Sequence, residues 1–136
     1  MGLCYDTFKK ANLKMHGYTT SKYKDDIDNL PGVDHKIFDT TYDLKKNIFY
    51  DADIIIMLAG GTGTVSEFFG HLEEIRSNDV DKILIVWNED HSFDKMFVLI
   101  DDLIERKFNN ESIYNYFKVA NNINELEKIL RENGKI

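Results

Sequence analysis

A glycine-rich stretch in the middle of the chain has the residue types that hold a phosphate group. It lies between an apolar strand pattern at 53–58 and a helical pattern at 65–76, and it reads Ala59-Gly60-Gly61-Thr62-Gly63-Thr64-Val65-Ser66-Glu67. Glycines leave the backbone free for positive φ angles and for close approach by a ligand. The following helix offers N–H groups and the positive end of its dipole, which attract anions. The sequence therefore predicts a loop that binds a phosphorylated ligand, and the alternative is a purely structural turn.

Two polar side chains accompany these glycines. Thr64 could cap the helix or donate its hydroxyl to a phosphate, and Glu67 lies one turn into the helix on the ligand side. A carboxylate in the first turn of a helix also favours the helix dipole without touching any ligand. Glu67 is therefore a candidate for a ligand or catalytic role, with a helix-stabilising acid as the alternative.

Strand and helix patterns alternate around this loop. After residue 52 we predict a strand at 53–58, a helix at 65–76, a strand at 83–87, a helix at 92–107 capped by Ser92, a strand at 116–120, and a last helix capped by Asn124. Such alternation predicts an α/β fold, a Rossmann-like parallel sheet with helices on both faces. Earlier in the chain we predict helices at 6–14 and 43–50, the latter capped by Thr40 or Thr41, a strand at 36–38, and a polar loop or flap at 19–33.

Length and composition limit the classes of function. The 136 residues predict a single domain over 1–136, and the net charge of −7 argues against general binding to nucleic acid or to an anionic membrane. Cys4 is the only cysteine, and the four histidines have no metal-ligand spacing, so we expect neither a metal nor a cofactor. No apolar run approaches a membrane span or the centre of a signal peptide, so we expect a cytoplasmic protein.

The stretch 52–67 resembles the hallmark of the LONELY GUY family, whose members are often labelled lysine decarboxylases. That hallmark is an aspartate-led strand followed by P-G-G-x-G-T-x-x-E, and this chain has Ala59 in place of the proline. The similarity continues to the last helix. It implies a Rossmann-like fold, usually a homodimer, and hydrolysis of the N-glycosidic bond of nucleoside 5′-monophosphates to a free base and ribose 5-phosphate, without a cofactor.

The resemblance also implies roles for individual residues. Glu67 would steady the positive charge that develops on the ribose as the bond to the base breaks. Family enzymes carry an arginine on the helix before the glycine loop, where this chain offers Lys45 or Lys46 instead, with Tyr50 at the nearest arginine position. Lysine does not reproduce the bidentate fork of arginine. The 5′-phosphate would be held by the loop residues Gly60, Gly61, Thr62, Gly63 and Thr64.

Four further residues are candidate contacts to the base or the ribose: Tyr50, His71, Asn88 and Asp90. Each has a structural alternative, because aromatic and histidine side chains are common in cores and Asp90 could cap the following helix. Two departures from the family pattern accompany them. Gly70 stands where relatives tend to have an acid, and Met1-Gly2-Leu3 resembles the end of a first glycine turn, so the first strand and most of that turn are expected to be missing.

Two other functions remain open at this point. The chain could be a non-catalytic module that senses or sequesters a nucleotide, as the absent arginine suggests. It could also be an enzyme related to nucleoside deoxyribosyltransferases, which use a similar glycine-threonine turn and a glutamate nucleophile. Decarboxylation of lysine is not expected, because no lysine stands in a recognisable pyridoxal phosphate setting.

Overall fold

The computed structural model describes residues 2–27, 30–78 and 80–136. They form two compact units, Met1–Asp51 and Ala52–Ile136, each with parallel strands and accompanying helices. The predicted α/β, Rossmann-like class is therefore confirmed. That the whole chain acts as one nucleotide-binding domain stays a prediction.

The first unit is built on a two-stranded parallel sheet. Its strands pair in register, with Gly17 of the first strand opposite His35 of the second. Their close fit explains the glycine, because a Cβ on Gly17 would lie 3.0 Å from His35 Nδ1. The elements are α1 (Gly2–Lys10), β1 (Met15–Thr20), a 3₁₀ turn (Ser21–Tyr23), α2 (Lys24–Ile27), β2 (Val33–Phe38) and α3 (Thr41–Asp51).

For this unit the structure contradicts two predictions and identifies which threonine caps α3. The stretch 19–33 is not a polar loop or flap, because it holds the end of β1, the 3₁₀ turn, α2 and the start of β2, while residues 28 and 29 lie outside the described chain. The helix expected at 6–14 occupies Gly2–Lys10. Thr40 caps α3, since its Oγ1 accepts the Asp43 backbone N–H at 3.1 Å.

The second unit is a three-stranded parallel sheet in the order β3-β4-β5. Met57 at the end of β3 pairs with Val86, and Trp87 at the end of β4 pairs with Ala120. The carboxyl ends of all three strands therefore meet at one edge of the sheet. The elements are β3 (Ile54–Met57), α4 (Thr62–Asn78), β4 (Ile83–Trp87), α5 (Asp94–Glu105), a 3₁₀ helix (Glu111–Asn115), β5 (Lys118–Ala120) and α6 (Ile123–Glu132).

The core of the second unit surrounds the central strand β4. Ile85 and Val86 are fully buried, as an apolar run in the middle of a parallel sheet predicts. The unbroken apolar run of β3 favours burial on both faces as well, but Ile56 is 40% exposed because β3 lies at the edge of this sheet. None of the described helices is long and apolar enough to cross a membrane.

Three helix starts differ from the prediction. Helix α4 begins at Thr62, before the apolar stripe, so part of the glycine stretch is helical. Helix α5 begins at Asp94 after Phe93 in the N-cap position, and Ser92 lies outside it. Helix α6 is capped by Asn122 instead of Asn124, because Asn122 Oδ1 accepts the Glu125 backbone N–H at 3.0 Å.

Candidate functional site

The glycine loop and the first turn of α4 form an exposed platform of backbone amides. Val65 donates its backbone N–H to the Gly61 carbonyl at 3.2 Å, which places Gly61 at the N-cap position of α4. The N–H groups of residues 61–64 consequently have no carbonyl acceptor within the helix. Because α4 has 17 residues, its dipole adds partial positive charge at the same point. The arrangement suits an anion. Thr64 lies inside the first turn, so it does not cap the helix.

The glycines of this platform have different environments. Gly60 packs against Thr64, where an added Cβ would lie 3.0 Å from the Thr64 Cβ and would overlap its hydroxyl oxygen. Gly61 and Gly63 are exposed, and a Cβ on either would meet no atom of the described chain within 4 Å. Gly60 is therefore required by the loop itself, whereas Gly61 and Gly63 leave open space in front of the amides.

Glu67 and His71 lie successively deeper along α4. Glu67 is half-buried, and its carboxylate has no hydrogen-bond or ion-pair partner among the described residues. His71 is only 5% exposed and forms part of the interior on the inner face of α4, beside Leu72. Of the two, Glu67 has the more accessible side chain. Contact of either residue with a ligand stays a prediction.

Asn88 holds the loop that follows β4. Its side chain is 3% exposed, its Oδ1 accepts the Phe93 backbone N–H at 2.9 Å, and its Nδ2 donates to Asp94 Oδ1 at 2.7 Å. Its backbone N–H donates to the Ala120 carbonyl at 2.9 Å, which ties the loop to the end of β5. Both ends of the Asn88 amide are thus engaged within the chain, and the loop is fixed at the carboxyl edge of the sheet.

Asp90 shapes the same loop from its exposed side. Its Oδ1 accepts the Ser92 backbone N–H at 3.1 Å. Hydrogen bonds from the Ser92 hydroxyl and then from the Ser92 backbone hold the pKa of the Asp90 carboxyl below its ordinary value. Asp90 does not cap α5, since Phe93 holds the N-cap position without a side-chain cap. Asp90 therefore presents an exposed, ionised carboxylate at the carboxyl edge of the sheet, the edge from which the glycine platform also extends.

The structure brings together only part of the predicted site. The platform, Glu67, Asn88 and Asp90 all belong to the second unit, and the loops after β3 and β4 leave the same edge of the sheet because these strands are parallel neighbours. Lys45, Lys46 and Tyr50 belong to α3 of the first unit, where Tyr50 is 53% exposed and packs edge-on against Phe49 at 5.2 Å. Their participation stays a prediction.

Sequence reasoning gave no site role to His91, which lies in the loop after β4. His91 has a φ of +59°, and its Nδ1 lies 3.3 Å from Asp94 Oδ2. The residue with the left-handed backbone is a histidine and not a glycine, so the sequence does not indicate this conformation. The only available signal was the position of His91 a few residues after a strand that ends at the ligand-binding edge.

Comparison with known proteins shows the family of this chain. The family model described as "Possible lysine decarboxylase" matches residues 1–130. The chain belongs to this family. It is the family that the resemblance to LONELY GUY proteins indicated, and the match includes the glycine platform and the loop after β4. None of the curated proteins matches the chain.

Proposed function

We propose that this protein is a nucleoside 5′-monophosphate phosphoribohydrolase, which hydrolyses the N-glycosidic bond to release a free base and ribose 5-phosphate. The observation that carries the proposal is the set of amides at residues 61–64, which face open space. They lie one turn before the Glu67 carboxylate, which has no partner among the described residues. Family membership supports the nucleotide as the ligand. A net charge of −7 requires a phosphate to be held locally, and backbone amides supply such local attraction.

In the proposed reaction the platform anchors the 5′-phosphate and thereby directs the ribose toward Glu67. As the C1′–N bond breaks, its electron pair leaves with the base and the sugar becomes an oxocarbenium-like cation. The Glu67 carboxylate stabilises that cation, and water adds to C1′. Because Glu67 has no partner in the described chain, no ion pair has to be broken before it can act.

Three residues of α3 complete the proposal. Lys45 and Lys46 would supply positive charge in place of the family arginine, and Tyr50 would stack on the base. His71, Asn88 and Asp90 would border the base or ribose, with Asn88 acting through the loop it holds. Family membership supports a homodimer as the working assembly.

One observation favours a second function. Helix α3 reads Thr-Tyr-Asp-Leu-Lys-Lys-Asn-Ile-Phe-Tyr-Asp and contains no arginine. The guanidinium of arginine is a planar fork that can orient two oxygens of a ligand, whereas the ammonium of lysine is a point charge. Replacing arginine with lysine therefore impairs ligand binding less than it impairs catalysis. The alternative is a module that binds a nucleotide in order to sense or sequester it.

The test is incubation of the purified protein with AMP and other nucleoside monophosphates, with release of free base followed by chromatography. Glu67→Gln is expected to abolish release while AMP still raises the melting temperature. Glu74→Gln, on the exposed side of the same helix, is the matched control and should keep full activity. Gly61→Val should remove AMP binding, because its side chain fills the open space in front of the amides.

Each outcome distinguishes the two functions. Base release that depends on Glu67 supports the hydrolase. A thermal shift with AMP but no release by the wild type supports the binding module. Unchanged AMP binding by Gly61→Val would contradict both functions, because each depends on the same phosphate platform.

A further inference from the structure

The backbone of His91 is unusual for its place in the fold. Among the described residues three side-chain-bearing positions have positive φ: Asn12, His91 and Lys107. Asn12 and Lys107 each follow the last turn of a helix, where a left-handed residue normally closes the helix. His91 follows a strand instead, in the loop between β4 and α5. No helix ending accounts for its conformation, and strained backbone of this kind concentrates at functional sites.

Internal hydrogen bonds fix this loop at the ligand-binding edge. The Asn88 carbonyl accepts the His91 backbone N–H at 3.2 Å, and the His91 carbonyl accepts the Asp94 backbone N–H at 3.3 Å. Asn88 itself is buried and bonded to the end of β5. Since β4 lies beside β3 and runs parallel to it, the His91 loop and the glycine platform follow neighbouring strands at the same edge of the sheet. In open α/β sheets, ligands bind at this edge.

A carboxylate lies close to the side chain of His91. Asp94 Oδ2 lies 3.3 Å from His91 Nδ1, while Asp94 Oδ1 accepts the hydrogen bond from buried Asn88. Asp94 is thus held on one side and faces the imidazole on the other. The His91 side chain is 72% exposed, and its Nε2 has no partner among the described residues. A carboxylate that faces one imidazole nitrogen and leaves the other free is the arrangement by which histidine transfers protons.

We propose that His91 is the general acid that protonates the departing base, with Asp94 as its positioning residue. This inference rests on the proposed hydrolase. When the C1′–N bond breaks, the electron pair goes to the base nitrogen, which takes the proton from His91 Nε2. Water adds to C1′ and releases one proton, which restores the imidazolium. The sum is nucleoside monophosphate plus water giving base plus ribose 5-phosphate, with no net change in protons on the protein.

Glu67 and His91 then have separate tasks. Glu67 stabilises positive charge on the sugar, and His91 neutralises negative charge on the base. The acidic groups that face His91 in its own loop and at the start of α5 are Asp90 and Asp94.

The matched variants are His91→Asn and His91→Gly, because asparagine and glycine both tolerate positive φ. Neither can donate a proton as an acid. For AMP we expect kcat to fall about 100-fold or more in both variants, and we expect the alkaline limb of the kcat–pH profile to disappear. The melting temperature of His91→Gly should equal or exceed that of the wild type, which separates the loss of activity from any loss of folding.

A second substrate makes the role specific. With a 4-nitrophenyl riboside 5-phosphate, the leaving phenolate needs no proton, so His91→Asn should keep wild-type turnover whereas Glu67→Gln should not. Equal losses on both substrates, or an unchanged AMP profile in His91→Asn, would overturn the general acid and leave the hydrolase intact. An inactive wild type that still binds AMP would overturn the hydrolase and this inference together.

Discussion

The side chain of Thr64 occupies the space that a Cβ on Gly60 would need. The two residues are four apart in the sequence, yet an added Cβ would lie only 3.0 Å from the Thr64 Cβ, whose position is fixed by the first turn of α4. This contact holds the loop against the helix start. Gly61, the next residue, has no such neighbour within 4 Å in the described chain. Adjacent glycines thus serve different purposes.

Gly60→Ala is expected to destabilise the protein by about 1–3 kcal/mol, the usual cost of overpacking a fixed site. Gly61→Ala should change the free energy of unfolding by less than about 0.5 kcal/mol, as for an open surface position. Denaturant unfolding of both variants provides the measurement. Combining Gly60→Ala with Thr64→Ala should recover part of the loss, because the hydroxyl is removed. Equal stability of the two single variants would contradict the contact.

Gly70 offers a chance to stabilise the protein. It lies within α4, is exposed, and a Cβ there would meet no described atom within 4 Å. Gly70→Ala should therefore raise the free energy of unfolding by about 0.8–1 kcal/mol, because alanine favours the helix. Thermal or denaturant unfolding of the unliganded protein measures this gain. A loss of stability would indicate that something outside the described chain packs against Gly70.

The start of α6 distinguishes two asparagines that are equivalent by type. Asn122 Oδ1 accepts the Glu125 N–H, and the Glu125 carboxylate in turn accepts the Asn121 backbone N–H at 2.8 Å. Asn122→Ala should cost about 1 kcal/mol of stability, the typical loss of a helix cap. Asn124→Ala, already inside the helix, should stay within about 0.5 kcal/mol of the wild type. A larger loss of stability in Asn124→Ala than in Asn122→Ala would contradict the observed cap.

The same region shows what sequence patterns could and could not predict. The cap was assigned to Asn124, although the spacing of Asn122 and Glu125 matches a capping box and would have indicated the observed start. The long apolar strand β4 was predicted correctly, because a buried parallel strand needs only an unbroken run of apolar residues. Strand β1 was missed, since its residues are mostly polar and Gly17 is explained only by the side chains of His35 and Val33 across the sheet.

The candidate site also has features that the sequence predicted and features that it did not. The glycine platform was predicted from local sequence, because three glycines between a strand and a helix are a local signal. The separate roles of Gly60 and Gly61 could not be predicted from the sequence, since they depend on where the Thr64 side chain lies in the folded protein. The positive φ of His91 could not be predicted either, because a glycine at this position would have indicated a left-handed backbone and a histidine does not.

Tyr114 is expected to make stability depend on alkaline pH. Its hydroxyl donates to Asp101 Oδ1 at 2.6 Å, and burial, followed by this hydrogen bond, raises its pKa from 10.0 to about 12. The folded protein therefore favours the neutral phenol. The resulting stabilisation is fully present below pH 10 and is lost as the pH rises from 10 to about 12, because the unfolded chain releases this proton first.

The measurement is the difference in free energy of unfolding between the wild type and Tyr114→Phe across this range. Phenylalanine cannot release a proton, so the wild type should lose stability relative to the variant above pH 10. Lys36 and Tyr18, whose pKa values are also raised, are present in both proteins and cancel from the difference. Asp101→Asn removes a charge that raises the pKa of Tyr114 in the folded protein, so in that background the loss should still begin near pH 10 but should end at a lower pH. A difference that stays constant with pH would show that the phenol of Tyr114 titrates alike in the folded and unfolded chains.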